Sequence, residues 1–80
     1  MAARIRLPQP LSGLLRSELE HAIYEAALSR DESVIATRYI VEKVPQIDIA
    51  AELGWERSTV SRHMPYIVAT VSAAAKRLYP

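Results

Sequence analysis

The chain has no cysteine and no phenylalanine, and only two glycines and one tryptophan among its 80 residues. Without cysteine there is no disulfide framework, no thiolate zinc site and no cysteine nucleophile. The two histidines, His21 and His63, are far apart in sequence and do not make a zinc site. No metal or cofactor is therefore expected. Without phenylalanine the core must be mostly aliphatic. No apolar run approaches the ~20 residues of a membrane span. The first residues, MAARIRLPQPL, lack the long apolar stretch of a secretory signal. These absences lead to the expectation of a soluble, cytoplasmic protein with no membrane partner.

What is present leans towards helix. Half the residues are apolar, too many for a disordered chain. Alanine, leucine, isoleucine, valine, glutamate and arginine are common, and no β-like alternation is long enough to count. The expected fold is all-α, a compact bundle of four to five helices with a small core. The net charge is only +1, but it is polarised. Residues 17–56 carry all nine acids against Arg30, Arg38 and Lys43. Residues 57–80 carry Arg57, Arg62, Lys76 and Arg77 and no acid. A small domain with one basic end suits an anionic partner such as nucleic acid.

Along the chain, Pro8 and Pro10 argue against a regular helix and suggest a loose arm over residues 1–10, with the folded domain at 11–80. Arg4 and Arg6 lie in that arm. A helix over 12–28 is expected, N-capped by Ser12, with Leu15, Leu19, Ala22, Ile23 and Ala26 on one face. Ser29-Arg30-Asp31-Glu32 is a capping-box pattern and opens a helix at about 31–43, which Pro45 stops. Residues 46–53 form a short helix ended by Gly54. Residues 57–64 form another, ended or kinked by Pro65, which sits well as the first residue of a last helix at about 65–78. Ile67, Val71, Ala74 and Leu78 make an apolar stripe on that last helix. The stripe packs on the first helix or on its twin in a second chain. A homodimer using it is the favoured expectation, because symmetric dimers read palindromic sites.

The informative stretch is QIDIAAELGWERSTVSRHM, residues 46–64. Ala50 is small enough to let a second helix cross closely, and Gly54 takes the left-handed turn. Ile49, Leu53 and Val60 supply the shared core. This is the physics of a helix-turn-helix, which holds its second helix proud of the surface for the DNA major groove. The outward face of residues 57–64 is Arg57, Ser58, Ser61 and Arg62, with Thr59 and His63 at its edges. Arginine pairs with guanine, and serine or threonine contacts bases or phosphates.

IAAELGWERSTVSRHM resembles the helix-turn-helix of bacterial and phage transcription regulators, and the preceding ALSRDESVIATRYIVEKVPQIDIAAELG resembles sigma-factor region 4 and response-regulator output domains. The likeness covers about residues 27–64, with Ala50, Leu53, Gly54 and Val60 matching the structural pattern. It implies binding to double-stranded DNA as a small transcriptional regulator. It implies a phosphate contact for Gln46, and base or backbone contacts for Arg57, Ser58, Ser61 and Arg62. His63 stands where the family usually has a core-facing aliphatic residue, and packing suits it better than a base contact. Trp55 is expected as a lid over the turn. Arg38 and Lys43 read as a solvated face with the option of backbone contacts. Ser61 and His63, two apart on a helix, face different ways, and no acid–base pair is present, so no enzyme is expected. The alternative is a sigma-like interaction module that binds RNA polymerase or another regulator, favoured by the acidic middle.

Overall fold

The computed structural model describes residues 7–80, so Arg4, Arg6 and most of the expected arm lie outside the described residues. These residues form five helices and no strand. The first, α1, is a single turn, Gln9–Ser12. Pro10 sits in its first turn, where a missing N–H deprives the helix of nothing. Leu11 is fully buried and Leu7 packs against the core. Residues 7–10 are thus anchored, contrary to the expected loose arm. The prolines open a turn of helix here instead of preventing one.

Helix α2 spans Arg16–Glu25, not 12–28. Ser12 ends α1 rather than capping α2. The N–H of Leu15 donates to the Glu18 carboxylate at 2.8 Å and fixes the start of α2. Leu19, Ala22 and Ile23 are its buried face. Helix α3, Arg30–Ala36, begins with the expected cap: Ser29 Oγ accepts the Glu32 N–H at 3.2 Å. It runs on as a π-helical segment, Thr37–Val41, where Glu42 N–H reaches back to the Thr37 carbonyl. The chain then leaves through Lys43 at φ 59°, so the helix stops before Pro45 can stop it. The Lys43 ammonium donates to the Ile40 carbonyl at 2.6 Å, which satisfies an end carbonyl and offsets some of the left-handed strain.

Helix α4 is Gln46–Leu53, as the spacing predicts. Gly54 follows at φ 69°. Trp55 N–H bonds the Ala50 carbonyl at 2.9 Å and Gly54 N–H the Ala51 carbonyl at 3.4 Å, the two bonds of a Schellman ending. Three residues later α5 begins and runs unbroken over 22 residues, Arg57–Leu78. The expected break at Pro65 does not occur. Pro65 is exposed, while Val60, Met64, Ile67, Val71, Ala74 and Ala75 form one buried stripe that continues past it. Packing on both sides of the proline outweighs the loss of one backbone hydrogen bond.

That stripe decides the role of the last helix. Ile67, Val71 and Ala74 are completely buried within the chain, and Leu78 packs against the same core. Ile67, Val71 and Ala74 are not available to a second copy, which corrects the expected dimer interface at those three positions, while Leu78 is half-buried. Helix α5 packs on α1, α2, α3 and α4 in turn, most extensively on α2. Among the described residues, no helix is long and apolar enough to cross a membrane.

Candidate nucleic-acid interface

The geometry around α4 and α5 starts from three residues with little freedom. Ala50 is buried at 3% exposure where α4 meets α5. Ile49 and Val60 are fully buried, and Leu53 packs against them at the edge of the core. Gly54 then reverses the chain in a conformation that costs most residues about 1–2 kcal/mol. The turn Gly54–Glu56 sets the first two turns of α5 against α4, with their other side open to solvent.

Arg57, Ser58, Ser61 and Arg62 all lie exposed on that open side. Thr59 is half-buried, with a weak 3.5 Å approach from Arg62 Nη2 to its hydroxyl. Gln46, the first residue of α4, is also half-buried. The Ser61 hydroxyl donates to Gln46 Oε1 at 2.7 Å. This bond brings Gln46 onto the same surface as Ser61 and Arg62, although fifteen positions separate it from Ser61. No carboxylate sits on α5 at all, since the chain has none after Glu56. The surface is therefore a set of hydroxyl and guanidinium groups on the start of α5, joined by the Gln46 amide from the start of α4. Such groups donate well to phosphate oxygens and to purine acceptors.

His63 does not join this set. Its Nδ1 lies 3.3 Å from Glu32 Oε2, and its ring sits 5.3 Å from the Trp55 ring at a 50° tilt. Trp55 covers the turn as expected, half-buried against the core. The three side chains tie the start of α3, the turn and the third position after Val60 into one contact. The hydrogen bond from the His63 ring holds the Glu32 carboxyl below its ordinary value. Burial pushes the other way, and the Ser29 hydroxyl and N–H add further lowering. This partner for His63 escapes a reading of the sequence, because Glu32 already has a complete role in the Ser29 capping box.

Arg38 and Lys43, the two cations nearest the start of α4, are engaged by groups of the protein itself. Arg38 donates to Glu42 at 2.7 Å and meets Glu52 at 3.1 Å, joining the π-helical segment to α4. The hydrogen bond to Glu42, then the charge of Glu52, raise its pKa further and keep it protonated. Lys43 caps its own helix. One exposed group on the basic side falls outside the expected site. Tyr66 stands 60% exposed one turn after Arg62. The i, i+4 spacing from Arg62 is its signal in the sequence, hidden by the assumption that Pro65 ends the helix.

Among the described residues, no cluster of histidine and carboxylate side chains has the makings of a metal site. No protein-family model, curated protein or solved structure matches this chain. Its functional reading rests on its own side chains.

Proposed function

We propose that the protein is a sequence-specific binder of double-stranded DNA, acting as a small transcriptional regulator in the cytoplasm of a bacterium or in a phage-infected cell. In this reading α4, the Gly54 turn and the first turns of α5 form a helix-turn-helix. Residues 57–64 enter the major groove. The observation that carries the proposal is the exposed row Arg57, Ser58, Ser61 and Arg62, linked to Gln46 by the 2.7 Å hydrogen bond from Ser61 and free of any carboxylate on its own helix.

The mechanism is occupancy and involves no chemistry on the DNA. Arginines neutralise phosphates and release counterions, so affinity falls as salt rises. Arg62 and Arg57 supply the donors that fit guanine O6 and N7. Gln46 and the serines fix the register against the backbone. His63 contributes by holding the helix rather than by touching bases. A homodimer acting in this way would use a surface other than the buried Ile67, Val71 and Ala74.

A second reading, a module that binds RNA polymerase or another regulator, is favoured by one feature. Tyr24, Ile47 and Val34 are exposed apolar side chains on the acid-rich helices, with Tyr24 80% and Ile47 59% exposed. In vitro selection of random duplex DNA at near-physiological salt separates the two. Enrichment of a defined sequence, as an inverted repeat or a single site, supports the regulator. No enrichment, together with co-purification with polymerase in the absence of DNA, replaces it with the interaction module.

A further inference from the structure

The continuity of α5 through Pro65 changes what its outward face presents. On a continuous helix, residues three and four apart are neighbours. Arg62 is therefore followed on its own face by Pro65 and Tyr66. Both are exposed, Tyr66 by 60%. The next residue on that face, Ala69, is exposed and too small to stand in the way of either. A pyrrolidine ring and a tyrosyl ring side by side make an apolar step directly beyond the guanidinium. Among the described residues, neither side chain belongs to the packed core.

The chemistry of the major groove offers one apolar feature, the C5-methyl group of a pyrimidine. One helical turn advances about 5.4 Å, and successive bases on a strand are about 3.4 Å apart. A group one turn beyond Arg62 therefore falls one to two base pairs from the base that Arg62 reads.

We infer that Pro65 and Tyr66 form an apolar reader of a pyrimidine 5-methyl group, thymine or 5-methylcytosine, placed one to two base pairs from the guanine contacted by Arg62. The inference rests on the DNA-binding reading and adds the base that flanks the guanine. It gives Tyr66 a direct role in specificity, and Pro65 the role of presenting it without ending the helix.

The test uses the 80-residue chain and the duplex obtained by selection. Each thymine near the enriched guanine is replaced in turn by uracil, which lacks only the methyl group. At one position affinity should fall about fourfold, the worth of one buried methyl-sized group. Cytosine and 5-methylcytosine at that position should differ by a similar factor. A response to thymine alone, or to 5-methylcytosine alone, identifies which source of the methyl is read. Tyr66→Ala should erase the thymine–uracil difference, while Tyr66→Phe, which keeps the ring, should preserve it. Circular dichroism of both variants checks that α5 is intact.

Methyl-insensitive binding at every position overturns the inference. So does a thymine–uracil difference that survives Tyr66→Ala, or one that is lost in Tyr66→Phe. If a site is enriched and Arg62→Ala weakens it while the methyls stay silent, only this inference fails. If no duplex is enriched, the DNA-binding reading fails and takes the inference with it.

Discussion

Pro65 divides α5 into two parts of one continuous helix that differ in almost everything else. Before it, residues 57–64 bury only Val60 and Met64 and expose Arg57, Ser58, Ser61 and Arg62. After it, residues 66–78 bury Ile67, Val71, Ala74 and Ala75. One part displays groups and the other anchors the bundle. The contrast teaches that a single helix can separate the two tasks along its length, so that altering the displayed residues leaves the anchor alone. It also explains why the proline is tolerated. The strong packing lies on the buried side of both parts, and the proline occupies the exposed side between them.

The largest effect that tests this contrast comes from the anchor. Ile67→Ala should lower unfolding free energy by about 2–5 kcal/mol, a large share of what a small domain has. Urea denaturation followed by circular dichroism measures it. A loss below about 1 kcal/mol would show that the second part of α5 is not the anchor described here. Next comes the divider itself. Pro65→Ala restores a backbone donor in mid-helix and should raise stability by about 2 kcal/mol, the helix-interior penalty less the restriction of the unfolded chain. A destabilised Pro65→Ala protein would mean that the helix depends on a bend at that point.

The display side should behave in the opposite way. Arg62→Ala should change stability by no more than about 0.5 kcal/mol and weaken binding to the selected duplex by about 1–3 kcal/mol with relaxed base preference. Unchanged affinity and base preference in a binding titration would remove Arg62 from the interface. The smallest effect concerns the contact that holds the display part to α3. The folded state lowers the pKa of Glu32, chiefly through His63. Its stabilising contribution is therefore present above the ordinary glutamate range and is lost as pH falls through the lowered value. Glu32→Gln should be less stable than the natural protein at pH 6, and the difference should shrink as pH falls below the ordinary glutamate range. Thermal unfolding across a series of pH values measures it, and a gap that does not narrow in acid would show that the carboxylate charge is not what matters.

The two exits that flank α4 show what a sequence reveals and what it conceals. Gly54 and Lys43 take nearly the same left-handed backbone, at φ 69° and 59°. The first is legible because glycine adopts that conformation without strain and often follows a helix. The second is hidden because lysine there is stabilised by contacts that form only in the fold: its ammonium on the Ile40 carbonyl, and Val44 N–H on the Arg38 carbonyl. The same division runs through the rest. The all-α class, the Ser29 cap, α4 and the exposed row on α5 follow from local pattern and spacing. The course through Pro65, the burial of Ile67, Val71 and Ala74 within the chain, and the Glu32–His63 contact depend on partners more than thirty positions away or on packing summed over a whole face. No window of sequence contains them.

The central place of α5 has a consequence for how the chain acquires its structure. Every other helix packs on it, yet it is the last of the five to be synthesised. Helices α2 to α4 can pack on one another while the chain emerges, but the side of the core that Ile67, Val71 and Ala74 fill stays open until those residues are free. Completion of the core is therefore postponed until α5 has been synthesised, and it requires contacts between segments far apart in the chain. A nascent chain stopped at Pro65 would carry the whole displayed row and still have no stable surface to display it from.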